Sequence, residues 1–261
     1  MERPETGPRR RFGAQPELKL DRETLVIGSA LAVACGLAWW WLARRGGDGM
    51  DMAMASPPGV WSAAYLVPTF AMWAVMMVAM MLPSAAPMIL LFARVPRSGG
   101  RAWHVILFAG SYLAVWALFS LAASFAQALM IASGAVKEAT LAIGNAALAG
   151  GLLIGAGVYQ LSPLKEACLD ACRSPLSFIM RLSRPGLVGT IRLGLAHGAY
   201  CLGCCWALML LLFVGGVMNI AWIAAIALLV LAEKAAPVSL RRFLSPLLVV
   251  AGALLVLSAS P

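Results

Sequence analysis

Long apolar segments alternate with short polar stretches along most of the chain, and each segment is close to the length that crosses a bilayer as a helix. The segments are apolar on every side, whereas the strands of a membrane β-barrel would alternate apolar and polar residues. The pattern therefore predicts an all-α fold, a polytopic membrane helix bundle of about seven transmembrane helices, with six as the alternative because the last two segments are short. The predicted spans are Thr24–Leu42, Val67–Phe92, Trp103–Ile131, Ala139–Leu161, Leu193–Val214, Val217–Ala232 and Leu244–Ala259.

The chain divides into a short tail and one membrane domain. Residues 1–23 are rich in arginine and are predicted to form a cytoplasmic tail, and residues 24–261 are predicted to form a single transmembrane helical domain. Trp39–Trp41 followed by Arg44 stands where a signal peptide would have a small-residue cleavage site, so the first span is predicted to be a retained anchor. The Gly215–Gly216 link predicts that the fifth and sixth spans form a helical hairpin.

The composition supports a membrane protein. Hydrophobic residues make up 62% of the chain, charged residues 12%, and the mean hydropathy is +0.87, which excludes a soluble enzyme or a disordered chain. The formal net charge is +9, and with a cytoplasmic N-terminus only Arg44, Arg45 and Lys137 of the 20 Lys and Arg residues lie on the outer side. The positive charge is therefore a topology signal, and we expect the lipid bilayer rather than nucleic acid as a partner.

The fifth predicted span carries the densest set of metal-binding side chains. On a helix that turns about 100° per residue, His197, Cys201 and Cys204 fall within an arc of about 60°, with Cys205 at its edge. His197 and Cys204 are separated by about 10 Å of helix rise, so one ion can take either His197 with Cys201 or Cys201 with Cys204. The alternative interpretation is that these cysteines are small packing residues and that Gly198 and its neighbours form a helix interface.

The second predicted span is rich in methionine. Met76 and Met80 lie on one stripe of the helix, and Met77 and Met81 lie on the next. Thioether sulfur suits Cu(I) and needs no deprotonation, although methionine is also a common apolar filler of membrane helices. On the outer side, the loop segment Met50–Met54 alternates methionine with other residues beside two aspartates, and it fits either a loading patch for a soft cation or a simple linker.

The largest inner loop carries two further cysteines. Residues between Pro163 and Pro175 suit a short helix, which puts Cys168 and Cys172 on one face. Cytoplasmic thiols stay reduced, so a metal site or a transient redox pair is expected there rather than a structural disulfide, and an amphipathic packing helix is the alternative. The nearby Lys165 and Arg173 are candidates for lowering a thiol pKa. Glu233–Lys234 ends the sixth span, where an ion pair or an outward-reaching lysine is the simple interpretation.

Four blocks of these residues resemble a bacterial family known as the predicted metal-binding integral membrane proteins, a domain of unknown function, and the similarity runs from about Trp61 to Pro237. The resemblance implies a multi-span protein of the bacterial inner membrane with metal binding related to copper. The cysteines, methionines, Glu233 and Lys234 in these blocks match the family, whereas His197 and the Met50–Met54 patch depend on the residue pattern alone. The blocks are Trp73–Pro83, Tyr159–Arg173, Gly203–Met209 and Glu233–Lys234.

The sequence therefore favours an integral membrane protein that binds Cu(I), with zinc as the second candidate, and either transports the ion or hands it to a partner protein. In this hypothesis Cys168 and Cys172 take up or release the ion on the inner face. The ligands in the bundle are Met76, Met80, Cys201 and either Cys204 or Cys205. Three alternatives remain open: a membrane subunit of a copper-dependent oxidase or monooxygenase, a thiol redox protein, and a packing scaffold.

Overall fold

The computed structural model describes residues 22–48, 59–95, 101–137, 141–236 and 240–259, and helices dominate throughout, which confirms the predicted all-α class. One antiparallel hairpin is also present, formed by β1 (Val136–Lys137) and β2 (Ala142–Ile143). The helices are α1 (Arg22–Asp48), α2 (Ala63–Ala93), α3 (Arg101–Ala132), α4 (Ala146–Gln160), α5 (Pro163–Arg173), α6 (Pro175–Leu182), α7 (Gly186–Leu210), α8 (Leu212–Gly215), α9 (Ile220–Ala235) and α10 (Leu240–Ala259). Most of the tail 1–23 and the whole Met50–Met54 patch lie outside the described residues.

Five helical segments within the described ranges are long and apolar enough to cross a membrane: α1, α2, α3, α7 together with α8, and α10. The pair α4 and α5 passes the same test together but is bent by 64°, so it adds a sixth crossing if it is one broken span. The helix α9 has 16 residues, which is slightly short for a crossing of its own. Each of the seven predicted segments contains a described helix, but the predicted number of about seven crossings is not confirmed.

Local capping explains why the helices in the fourth and sixth predicted spans begin later than the apolar runs of the sequence suggest. The strand β2 uses Ala142 and Ile143, so α4 begins only after Asn145, whose side chain accepts the Leu148 N–H. In the same way the side chain of Asn219 accepts the Trp222 N–H and fixes the start of α9. At the predicted link between the fifth and sixth spans, Gly216 has φ of +91°, a conformation that a residue with a side chain rarely adopts.

The predicted short helix between Pro163 and Pro175 is confirmed as α5. The Ser162 hydroxyl accepts the Lys165 N–H, and Pro163 occupies the first turn, where its missing N–H leaves no helical bond unmade. This start sets the sharp bend between α4 and α5. As a result, α5 turns aside from α4 and packs along α7, where the predicted metal-binding residues lie.

The methionine-rich α2 lies in the core of the bundle, and prolines within it expose backbone oxygens to other helices. Pro83 has no N–H, so the helical bond that the Ala79 carbonyl would accept is missing. The Ala79 oxygen instead accepts the Trp39 indole N–H at 3.1 Å and the Cys35 thiol at 3.7 Å, both from α1. The proline therefore supplies the hydrogen-bond acceptor that attaches α1 to the rest of the bundle.

Candidate metal centre

Sulfur atoms from three helices meet in the interior of the bundle. Cys201, Cys204 and Cys205 on α7 are each at most 1% exposed. The Cys205 thiol lies 3.9 Å from Sδ of Met81 on α2, and the Cys172 side chain on α5 lies close to Cys201 and Cys204. We call these five residues the sulfur cluster. No disulfide joins any of the six cysteines, all of which lie in the described ranges, so the sulfur atoms are available to a ligand.

Two polar side chains from two other helices contact Cys201, and a third, that of Ser84, bonds to one of them. The Lys234 ammonium of α9 donates to Cys201 Sγ at 3.0 Å and to the Ser84 hydroxyl of α2 at 2.9 Å. The Tyr112 hydroxyl of α3 is hydrogen bonded to Cys201 Sγ at 3.2 Å and donates to the Met81 carbonyl oxygen at 3.1 Å. The ammonium in this position favours the thiolate form of Cys201, which is the form that binds soft metals.

The other two cysteines of α7 have different partners. The thiols of Cys204 and Cys205 both approach the Cys201 carbonyl oxygen, at 3.1 and 2.9 Å. Each of these bonds requires a proton on sulfur, so both thiols are protonated in this arrangement. Cys201 is therefore distinguished from its neighbours as the cysteine whose sulfur accepts hydrogen bonds from a cation.

Glycines on α7 allow the neighbouring helices to approach closely enough to build the cluster. A Cβ atom at Gly198 would lie 2.8 Å from a methyl group of Val115 and 3.2 Å from the Tyr112 carbonyl oxygen, which is closer than real side-chain contacts allow. A Cβ atom at Gly203 would lie 2.7 Å from Cys168 Sγ of α5. The sequence-based interpretation that Gly198 and Gly203 admit close neighbours agrees with these contacts.

The two basic residues that were candidates for activating the loop thiols bind elsewhere. The Lys165 ammonium forms an ion pair with the Glu233 carboxylate at 2.7 Å, and both side chains are almost completely buried. The Arg173 guanidinium donates two hydrogen bonds to the backbone oxygen of Glu233. The hypothesis that Lys165 and Arg173 activate Cys168 or Cys172 is therefore not supported, because both cations bind α9 and it is Lys234 that contacts a thiol. Lys234 points into the bundle rather than out to the membrane surface.

His197 lies one turn before Cys201 and is enclosed by aromatic rings. The imidazole is 3% exposed and its centroid lies 5.3 Å from the Tyr112 ring, 5.7 Å from Phe178 and 6.0 Å from Phe108. Neither ring nitrogen has a hydrogen-bond partner among the described residues. The imidazole is therefore buried among aromatic rings, one helical turn before Cys201.

The remaining predicted ligands take different positions. Met76, Met77 and Met80 are all buried in the core. Met76 lines a small cavity with Val217 and Ile223, about 7.5 Å of helix rise from Met81. Cys168 packs against Gly203, behind the cluster. The structure thus brings Met81, Cys172 and the three α7 cysteines together, and it separates Met76 from them.

This arrangement suits a metal that needs few, soft ligands. Among the described residues there is no group of three or more His, Cys, Asp and Glu side chains placed to hold one ion. Thiolate and thioether sulfur select Cu(I), an ion that accepts two or three such ligands. The pair Cys201 and Cys205 with the Met81 thioether is chemically sufficient for Cu(I).

Sequence reasoning missed two residues of the centre, Tyr112 and Ser84. Both are common residues of membrane helices with no spacing motif that links them to the cysteines. The signal that could have indicated them is polarity, because an isolated hydroxyl within an apolar span usually faces a partner inside the bundle. Their role becomes visible only when α2, α3 and α7 are packed together.

Comparison with known proteins adds one finding. Residues 70–257 match the model of the PpoB2 family, which is described as copper chaperone. No curated protein and no solved structure matches the chain. The match covers α3 to α9 completely and includes every residue of the sulfur cluster, and it confirms the copper-related resemblance seen in the sequence. The chain belongs to the PpoB2 family of copper chaperones.

Proposed function

We propose that this protein is an integral membrane copper chaperone that holds Cu(I) in the sulfur cluster and hands it to a partner protein. The observation that carries the proposal is the meeting of Cys201, Cys205 and Met81 inside a bundle of apolar helices. These groups supply soft ligands in a place where water and competing hard ligands are scarce. The family match supports copper as the cargo.

In this proposal Cys201 is the primary ligand. Its sulfur already accepts hydrogen bonds from Lys234 and faces Tyr112, so it is available as a thiolate without a large proton cost. Cys205 gives up the proton that it shares with the Cys201 carbonyl oxygen and becomes the second ligand. Met81 supplies a neutral third ligand. His197 lines the site and keeps it apolar, and it is not a ligand of the bound ion.

Release proceeds through α5. Cys172 is only partly buried and its thiol reaches Cys201 and Cys204, so it connects the closed cluster with the surface of the bundle. Exchange between two-coordinate and three-coordinate sulfur sites lets a soft ion move from ligand to ligand without ever being free. Under the positive-inside topology this exit faces the cytoplasm of a bacterial inner membrane, where the receiving protein would present its own thiols.

The affinity of the purified protein for Cu(I), measured in detergent against a competing chelator, tests this function. Cys201→Ala and Cys205→Ala should each weaken binding by 100-fold or more, on the order of one lost thiolate bond. Cys35→Ala is the matched control, since Cys35 is also a cysteine in a helix, but its thiol donates to the Ala79 carbonyl oxygen on α2 and it is not part of the sulfur cluster. Met81→Leu should weaken binding, whereas Met76→Leu should not. If the wild-type protein binds no copper, or if Cys35→Ala weakens binding as much as Cys201→Ala, the proposal is wrong.

The proximity of Cys172 to Cys201 and Cys204 also favours a second candidate, a thiol redox protein. In that case a cysteine pair would pass two protons and two electrons to a disulfide of a partner protein by thiol–disulfide exchange, so that the partner disulfide is reduced and a new disulfide forms in this chain. Labelling with a thiol-reactive reagent separates the two functions. Protection of the cysteines that disappears with a copper chelator supports the chaperone, and protection that disappears only with a reductant supports the redox protein.

A further inference from the structure

We propose that Lys234 makes the sulfur cluster selective for a monovalent soft cation over a divalent one. The inference rests on the proposed function and names the feature that decides which ions enter the site. It is drawn from one contact: the Lys234 ammonium of α9 lies 3.0 Å from Cys201 Sγ. There it offsets one of the negative charges that would otherwise balance the second positive charge of a divalent ion. A fixed positive charge is thus built into the ligand shell.

The ammonium is held in this position by the fold. It donates to the Ser84 hydroxyl at 2.9 Å as well as to Cys201. Neither of these two acceptors is a carboxylate, so neither cancels the charge of Lys234 before Cys201 becomes a thiolate.

The carboxylates nearest in sequence to Lys234 and Cys172 are engaged with other cations. Glu233, the neighbour of Lys234, forms the buried ion pair with Lys165. Glu166 on α5 is paired with Arg241 of α10. Asp170, also on α5, is exposed. The charge of an ion in the cluster must therefore be balanced by the thiolates themselves.

The proposed function uses two thiolates, those of Cys201 and Cys205, with the Met81 thioether. With two thiolates and the Lys234 ammonium, a monovalent ion gives a neutral centre. A divalent ion leaves one uncompensated positive charge inside an apolar bundle, and burying an unpaired charge is strongly unfavourable.

Competition between Ag(I) and Cd(II) tests the inference, because both are soft closed-shell ions without redox chemistry and they differ by one charge. The full-length protein in detergent is equilibrated with an equimolar mixture, and the bound ratio is measured by elemental analysis. Lys234→Met, which keeps the length of the side chain and removes its charge, should shift the ratio toward Cd(II) by about 10-fold or more. Lys234→Arg, which keeps the charge, should retain the wild-type ratio even if the affinity for both ions changes.

A second variant neutralises the charge of Lys234 from α2. Ser84→Asp places a carboxylate against the ammonium and should also shift the ratio toward Cd(II), so it gives the answer if Lys234→Met fails to fold. The inference is overturned if both Ser84→Asp and a folded Lys234→Met keep the wild-type ratio, or if Lys234→Arg shifts it as far as Lys234→Met. A wild-type protein that binds neither ion would instead contradict the proposed function, so the two failures are distinct.

Discussion

The ion pair between Lys165 and Glu233 should be a major contributor to the stability of the region that carries Lys234. It joins α5 to α9 at 2.7 Å, and the two side chains are 1% and 3% exposed. Only one carboxylate oxygen of Glu233 is used, since Oε1 has no hydrogen-bond partner among the described residues. Glu233→Leu therefore leaves the Lys165 ammonium buried without a counter-charge, which costs about 3–5 kcal/mol of unfolding free energy.

A double-mutant cycle measures this contribution. Lys165→Met should cost about as much as Glu233→Leu, because it strands the carboxylate instead of the ammonium. The combination Lys165→Met with Glu233→Leu removes both charges and should recover most of the loss, giving a coupling energy of about 3 kcal/mol or more. Unfolding free energies are measured in mixed detergent micelles with increasing fractions of a denaturing detergent.

The pair formed by Glu166 and Arg241 provides the matched control. It also joins α5 to another helix, but the Glu166 side chain is 53% exposed, so Glu166→Gln should cost no more than about 1 kcal/mol. Because Lys234 follows Glu233 directly, Glu233→Leu should also lower the affinity for Cu(I). Single substitutions at Lys165 and Glu233 that cost less than 1 kcal/mol, or a double variant whose loss equals the sum of the two, would refute this reasoning.

Three further variants test the packing around the cluster. Gly198→Ala forces α3 away from α7 and should cost about 1–3 kcal/mol of unfolding free energy and weaken Cu(I) binding; unchanged stability would contradict the close approach. Tyr112→Phe removes the hydroxyl that bonds Cys201 and should weaken Cu(I) binding measurably in the chelator competition, an effect that would be missing if the hydroxyl only fills space. Gln127→Leu breaks the bond to the Trp73 indole far from the cluster, so it should cost about 1–3 kcal/mol while the Cu(I) affinity stays at the wild-type value.

The helices could be predicted because a bilayer-length apolar run has few other stable conformations, and the cysteines of α7 could be assigned to one stripe by helical period alone. Local hydrogen bonding that interrupts such an apolar run is harder to predict from the sequence. The strand residues Ala142–Ile143 are as apolar as the helix that follows them, so the predicted fourth span began too early. The fourth span is consequently predicted to be longer than the helix α4 is.

The partners of the cysteines could not be predicted, since they are set by how separate helices rotate against one another. Met76 and Met81 lie on stripes of α2 that have the same chemistry, and only packing decides that Met81 faces Cys205. Lys234 at a helix end is expected to reach outward, but Ser84 and Cys201 offer it acceptors inside the bundle. Contacts of this kind carry no local sequence signal.

X-ray absorption at the copper edge of the protein loaded with Cu(I) tests the central claim most directly, because it reports the atoms bound to the ion. The sulfur cluster predicts two or three sulfur ligands and no nitrogen ligand, and it predicts that the sulfur signal falls in Cys201→Ala but not in Cys35→Ala. A spectrum dominated by nitrogen would place the ion at His197 instead and would contradict the account, as would a sulfur signal that persists unchanged in Cys201→Ala.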